Sequence, residues 1–522
     1  FVGSNAGYKN AASDNTAVGR YALYNNIAAY NTGIGHQAGY GVTTGAFNTF
    51  VGERTGGSMG AGAGNVGVGR RSLFQATSSN NTCIGNGAME IALTTGDDNV
   101  VVGMSAGTSI TSGNKNVVIG NSAGYAITTS VHTIAIGHEA LKALVDGAHN
   151  VAVGAFALLR VTSGGVNVAM GLSAGSHITT GSHNTCLGYD SFQAIVGSGY
   201  NTGVGSSTGV YQTGNYNTAV GYFSQYGVSG NSSGSYNTTS GYFAGAYNRG
   251  ENNTFLGALA GRFNSTGNRN TIVGSQAADN IVTTGSDNTA LGFGSAHNIG
   301  SGSNNVYLGA NAGFINQGAE GNVAIGSSAC YAAAGGGHMT GSGNVIMGDA
   351  AGYTITSGSN NVLIGQNAGR SGSQTPQSMG AVITASNEIQ IGNEGHTNAM
   401  VQVVWTINSD GRDKTEIKEL DLGLEFVNKL KPITYKWDKR SKYEDLKPDG
   451  THVEDELQIG FIAQDIIQLE KEYGYNIEDK TNLATWESED KYKVGLKHSN
   501  LIPSLVKAIQ ELKAEIELLK SK

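Results

Sequence analysis

Nowhere in its 522 residues does the sequence run apolar for the ~20 positions that a membrane-crossing helix needs. No signal-peptide pattern stands at its start. The chain opens at Phe1, inside a repeat unit and without methionine, so further sequence is expected upstream. Charge is scarce, at 13% of residues, and the formal net charge is −8. That balance provides neither the basic footprint of a nucleic-acid binder nor a cationic membrane patch. Cysteine is scarcer still. Cys83, Cys186 and Cys330 form an odd, sparse set that is no disulfide framework. Cys83 and Cys186 occupy one slot of a repeat (NTCIG and NTCLG), which points to small apolar packing rather than redox or metal chemistry. His36, His132, His138, His149, His177, His183, His297 and His338 lack metal-ligand spacing. The Gly-Gly-x-Gly-x-Asp calcium repeat is missing as well. No cofactor or metal is implied.

What the chain has is glycine, 80 residues of it. Gly-rich, low-complexity sequence is often disordered, yet here Val, Ile and Leu recur in register. The distribution is split. Residues 1–408 hold 74 of the glycines but only 27 of the 70 charged residues, whereas 409–522 hold the other 43 charges. Two modules of different physics meet near residue 400.

The first module is a repeat. Its unit is Asn, then Thr or Val, any residue, an aliphatic residue, then Gly: NTAVG at 15–19, NTGIG at 31–35, NTFVG at 48–52, NVVIG at 116–120, NTIVG at 270–274 and NVLIG at 361–365. The closing glycines run from Gly3 to Gly365 in 22 copies, mostly 16 to 18 residues apart. In 116–132 the first half alternates as a short strand, Val117 and Ile119 on one face and Val118 on the other. A Ser-Ala-Gly corner follows, then a second short strand whose aliphatic residue is Ile127 here and Ile178 in the copy at 167–183. Polar Gly/Ser/Asn turns close the unit.

Neither strand buries an apolar side alone, and stacked coils do. Glycine at a fixed slot suits a corner with positive φ or close backbone approach. Asparagine at a fixed slot suits turns and a stacked hydrogen-bond ladder. At about 4.8 Å per coil, 22 coils make a rod roughly 100 Å long. The inward residues, mainly Ala, Val and Ile, are few, so several chains are expected to pack side by side, three being the favoured number. The repeat resembles the β-roll head of trimeric autotransporter adhesins, which has a shorter unit with a similar Asn…Ala-Ile-Gly signature. The expected fold is therefore mainly β: a parallel β-solenoid or β-roll, or an intertwined triple β-helix, of ~17-residue repeats, followed by a small α+β domain. The sequence divides into a rod at 1–369, an irregular segment and junction strands at 370–408, and a last domain at 409–522 with a coiled-coil helix at 501–522. Regularity loosens between Gly221 and Gly241, between Gly326 and Gly348, and over Arg370–Thr384, where protruding loops or bends are expected.

Carboxylates in the rod are thinly spread, and Asp97-Asp98 is the only adjacent pair. Glycan cleavage needs two cooperating carboxylates, so no turnover enzyme is expected in the rod. The aromatic residues near the corners, Tyr222-Phe223, Tyr242-Phe243 and Tyr247, suit packing between coils or chains better than sugar platforms.

Past Asn387 the pattern changes. Two β segments, 388–392 and 400–407, lead to Ser409. Ile417, Leu420, Leu424, Val427 and Leu430 stand at helical spacing, and Pro432 stops that helix. Ile433–Trp437 and Gln458–Gln464 read as strands, the second running into a helix over 464–473, and 440–456 reads as a charged loop. Ile502, Leu505, Ile509, Leu512, Ile516 and Leu519 form a heptad seam.

INSDGRDKTEIKEL, LGLEFVNKLKPITYKWD, IGFIAQDI and LVKAIQELKAEI, in that order over about 395–522, resemble the endosialidase-type intramolecular chaperone that ends many phage tail fibres and spikes. The resemblance implies a domain that trimerises, templates a β-structured fibre upstream, and cuts itself off with a Ser–Lys dyad. Ser409 and Lys414 match the dyad, and the implied scissile bond is Asn408–Ser409. The chemistry is coherent on its own terms. A serine hydroxyl needs an adjacent base, and a desolvated lysine supplies one. Asp410, Gly411 and Arg412 belong to the same motif, in roles that shape the turn.

The implied molecule is a homotrimeric phage-like tail fibre or surface fibre for host attachment, on a virion or an extracellular surface. Its chaperone domain would be a single-turnover serine autoprotease released after folding. Its expected partners are other virion proteins on the N-terminal side and a host surface receptor, glycans among the candidates, with no nucleic acid and no membrane insertion. Two alternatives remain open. One is a bacterial trimeric adhesin, which calls for a C-terminal membrane β-barrel that these residues do not show. The other is a glycan-degrading tailspike.

Overall fold

The computed structural model describes residues 1–91, 93–230, 232–280, 283–332, 338–369, 386–393, 409–440, 443, 447–487 and 494–522. The rod is a parallel β-solenoid. Each coil contributes one three-residue strand, from β1 (Thr16–Val18) to β22 (Ile389–Ile391), and all 22 form a single sheet. Each strand pairs in parallel with the next, slot on slot. Thr32, Gly33 and Ile34 face Thr49, Phe50 and Val51, and Val117, Val118 and Ile119 face Ile134, Ala135 and Ile136. The slot residues explain the strand. The first is Thr, Val or Ile and the third is almost always aliphatic, the residue types that suit an extended, pleated backbone.

The middle residue of each strand of the repeat points inward. Ala17, Phe50, Cys83, Val118, Cys186, Ile272, Tyr307 and Ile346 are all buried. Large and small residues share the narrow interior, a large one being set beside small ones where it needs the room. Phe50 lies between Gly33 and Gly67 on the neighbouring strands, and a Cβ at Gly67 would stand 3.1 Å from its ring. All three cysteines pack in this core, where burial raises each thiol well above its ordinary value.

The closing glycine makes the corner. Gly137 has φ +134°, and a Cβ there would lie 2.5 Å from Gly154 O of the next coil. Both reasons for glycine thus apply together. Two and four residues further on, the backbone returns to the left-handed region, at Ser122 (φ 53°) and Gly124 (φ 53°) in one copy, and again just before the next slot residue, at His132 (φ 53°) ahead of Thr133. These turns curl the second half of the coil. The expected second strand is therefore a run of turns with isolated bridges such as Val42 to Gly60 and Ala76 to Thr94. Its aliphatic residues Ile127 and Ile178 nevertheless reach the core.

The slot asparagines form a buried ladder. Asn167 Nδ2 donates to Asn150 Oδ1 (3.1 Å) and to Gly181 O (2.9 Å), while Asn167 Oδ1 accepts from the N–H (3.0 Å) and Nδ2 (3.1 Å) of Asn184. The ladder runs coil to coil up to Thr133, the one threonine in the slot, whose N–H still donates to Asn116 Oδ1 at 2.9 Å, and it resumes at Asn150, whose Nδ2 donates to Gly147 O (3.1 Å) and Gly164 O (2.8 Å). At the far end Glu388 N–H donates to Asn361 Oδ1 at 2.9 Å. Ile389–Ile391, read above as a junction strand, is therefore one more rung, reached across a 27-residue step.

The apolar core has a gap. One buried cluster runs from Ala38 to Ala219 and a second from Phe255 to Ala368. Between them polar groups fill the interior. Ser224 Oγ bonds Thr239 Oγ1 at 2.7 Å, Gln225 Nε2 donates to Asn217 Oδ1 at 3.0 Å, and Gln212 Nε2 donates to Gly234 O at 3.0 Å.

After Ser409 the architecture is a small α+β unit: α1 (Leu424–Lys429), β23 (Ile433–Tyr435), β24 (Gln458–Gly460), α2 (Ala463–Glu472), β25 (Thr485–Glu487), β26 (Val494–Leu496) and α3 (Leu501–Lys520). β23 with β24, and β25 with β26, are antiparallel pairs. The helix expected to run from Ile417 starts only at Leu424, and Ile417 is exposed. Gly423 at its N-cap, a residue with high helix cost, and the Glu511 carboxylate that accepts from Leu424 N–H at 2.7 Å set the start there. The β25–β26 pair has no counterpart in the sequence reading. The strand expected at 400–407 and the stretch Arg370–Thr384 lie outside the described residues.

Replacing Asn167 by Ala should destabilise the rod by about 2–4 kcal/mol, since the Asn184 donors and Gly181 O lose their buried partner. Calorimetry of the assembled chain checks this. Hydrogen exchange should show two protected blocks flanking residues 224–253, because solenoid stability is a sum over neighbours and the buried apolar residues of this interval are only the small Ala244 and Ala246.

Candidate functional site

Ser409 opens a tight turn that its own sequence closes. Asp410 is the N-cap of a single 3-10 turn over Gly411–Asp413, and its Oδ1 accepts from Arg412 N–H at 2.9 Å. The Arg412 guanidinium folds back on the same carboxylate, with Nη2 at 2.6 Å from Oδ2 and Nε at 3.1 Å from both oxygens. The Arg412 side chain, and then its backbone N–H, hold the Asp410 carboxyl below its ordinary value. The turn reverses the chain, and Lys414 leaves it extended at φ −115°, ψ 139°.

That reversal brings the two candidate site residues together. Lys414 Nζ donates to Ser409 Oγ at 2.5 Å and to Ser409 O at 3.2 Å. Five residues of sequence thus become one hydrogen-bonded pair of a nucleophile type and a base type. Both residues are exposed in the single chain, as are all residues from 409 to 419. Asn408 lies outside the described residues.

The turn leads into the small unit behind it, whose core is Leu422, Phe426, Ile466, Leu469, Ala484 and Leu501. Two carboxylates pin that unit. Glu470 on α2 is buried and accepts from Leu483 N–H (2.8 Å), Ala484 N–H (2.6 Å) and Thr485 Oγ1, which fastens α2 to β25. Glu511 on α3 caps α1. The sequence reading missed both. Glu470 had one signal: it sits on the same helix face as Ile466 and Tyr473, where a charge demands a partner.

Other residues singled out from sequence form contacts between coils. His132 stacks on His149 with centroids 5.3 Å apart, and His183 stacks on Tyr200 at 4.7 Å. Phe223 stacks on Phe243 at 4.9 Å and Tyr247 on Phe263 at 5.3 Å. Asp97 accepts from Ser79 N–H at 2.7 Å, and Asp98 from Asn80 Nδ2 at 3.3 Å. Asp279 is the buried carboxylate of the rod. Burial raises it, and Arg262, 2.8 Å away, and His297 counter the shift. Among the described residues no helix is long and apolar enough to cross a membrane.

Glu470→Ala should cost the C-terminal unit about 3 kcal/mol or more, because three donors lose a charged acceptor in the interior. Urea unfolding followed by tryptophan fluorescence, with Trp437 and Trp486 both in this unit, measures it.

No curated protein matches the chain. Residues 409–475, beginning at the serine of the Ser409–Lys414 pair, match the family model described as chaperone of endosialidase, and the module that precedes them is a parallel β-solenoid.

Proposed function

We propose that the chain is a trimeric, phage-like tail fibre or surface fibre for host attachment, folded by its own C-terminal domain, which then cuts itself away at Asn408–Ser409. The division is a rod at 1–369, a junction at 370–408 and a removable chaperone at 409–522, with α3 as its coiled-coil end. The observation that carries this reading is the 2.5 Å contact between Lys414 Nζ and Ser409 Oγ, at the residue where the family match begins.

The chemistry is an acyl shift followed by hydrolysis. Ser409 Oγ attacks the carbonyl carbon of Asn408 while Lys414, as a free amine, takes the hydroxyl proton. The C–N bond breaks, the Ser409 nitrogen leaves as an amine after gaining a proton, and an ester joins Asn408 to Ser409 Oγ. Water then hydrolyses the ester, leaving a carboxylate on Asn408. A lysine in water keeps its proton, so the base has to be shielded. Both residues are exposed in one chain, and the neighbouring copies are what would cover them. Cleavage would in this way wait for assembly. The logic suits the product. A long parallel sheet nucleates slowly and is exposed to slipped register, so a compact domain that aligns three chains at one end helps it start. Removing that domain then closes the route back.

Mass spectrometry of the expressed chain tests the reading. The unaltered chain should give a fragment ending at Asn408 and a second of residues 409–522, while Ser409→Ala and Lys414→Ala stay whole. Equal masses in all three would end the self-cleavage claim and leave the chaperone claim standing. Asp410→Ala, which frees the turn, should slow release by roughly tenfold. Deleting 409–522 should give an aggregated or monomeric rod by light scattering.

A further inference from the structure

The rod has a second apolar face that its own fold leaves uncovered. In each strand the first and third residues point away from the core. From β1 to β22 the first slot holds only Thr, Val or Ile, and the third holds Val, Ile, Leu or Met at every strand except β14 (Thr238–Ser240). Slot-on-slot pairing lines these residues into two rows along the sheet, the third-slot row being interrupted by Ser240 at β14. They are wet in the single chain: Ile34 is 40% exposed, Met170 48%, Leu291 50% and Ile391 65%.

A sheet face meant for water alternates with polar and charged side chains. This one carries no charge at either slot. The rod's charges sit at corners and turns instead, where they bridge coils, as in Arg70–Glu53, Arg71–Glu90 and Arg269–Asp287. The face is roughly 100 Å long by about 7–10 Å wide, taking ~4.8 Å per strand and ~3.3 Å per residue. Its area is therefore about 700–1,000 Å², a range that brackets the ~800 Å² per partner of a stable protein interface.

From this geometry we infer that the outward face of the sheet is the surface on which copies of this chain meet, side by side, parallel and in register. The inference rests on the assembly reading above and assigns its interface. The spacing selects the occupant. A partner must present apolar groups every ~4.8 Å for about 100 Å, and a second copy of this rod in the same register does so slot for slot. The unpartnered seam of α3, where Ile502, Ile509 and Leu519 are exposed, asks for the same parallel neighbours at the chain's other end. At β14 the outward third slot holds Ser240 and the inward middle slot Thr239, so the lateral contact weakens where the core does.

The test places single cysteines on the full chain. Val153→Cys lies in the third slot of its strand, and His149→Cys lies at the adjacent corner. The native cysteines are fully buried, and the unaltered chain serves as the blank. Under a mild oxidant or a short bis-maleimide, Val153→Cys should give a covalent dimer on a denaturing gel and His149→Cys should not. In parallel, the triple variant Ile119→Lys, Ile136→Lys and Val153→Lys should lower the mass measured by sedimentation from trimer to monomer. A trimeric mass with His149→Cys linked and Val153→Cys free would overturn the face and leave the assembly reading intact. A trimeric mass for the triple lysine variant would also overturn the face. A monomeric unaltered chain would overturn both.

Discussion

One close approach governs the rod: at the closing glycines from Gly3 to Gly348 the next coil's carbonyl occupies the space where a Cβ would be. Gly137 meets Gly154 O in this way, and Gly171 meets Gly188 O. A left-handed corner that only glycine accepts lets consecutive coils stack at sheet spacing. It also aligns every slot with itself, and from that alignment the asparagine ladder, the inward row and the outward rows all follow. Glycine is costly to order, and neither a thin core nor a ladder alone is generous compensation. The same stacking that imposes the entropy cost creates the long apolar face on which further burial depends.

The buried asparagines show why register is so firmly held. Asn184 donates both its N–H and its Nδ2 to Asn167 Oδ1, so a slip by one residue would strand those groups in the interior. The ladder therefore acts against misalignment within a chain, while the outward rows leave apolar side chains exposed in the single chain. At β14 neither row is apolar, yet the ladder continues through Asn237 and Asn253. Continuity of fold and continuity of hydrophobic core are separable here.

The rod was readable because it repeats. The period, the glycine corner and the asparagine slot were visible from comparing copies such as 116–132 and 167–183, and parallel stacking followed from them. What was hidden was geometry with no one-residue signature. The second half of the coil carries aliphatic residues at Ile127 and Ile178 but curls through left-handed positions at Ser122 and Gly124, and periodicity does not report φ. The last rung at Ile389 was obscured by its long step from Ile364. In the C-terminal unit the helix spacing from Ile417 overran its true start, because the Glu511 cap comes from 87 residues away. The pairing of Ser409 with Lys414 illustrates the boundary. Their separation of five was plain in the sequence, and the resemblance assigned them roles. The turn that joins them depends on Asp410 and Arg412, which the motif supplied without its hydrogen bonds.

Slot-on-slot stacking also makes reach an integer quantity. Each coil touches only its neighbours and presents the same donors and acceptors on both sides. Duplicating or deleting one whole unit of DNA would shift the tip by about 4.8 Å and leave the joints on either side unchanged. Rod length can then change one coil at a time while the C-terminal unit stays as it is, so the span of the rod is separable from the residues beyond Ser409.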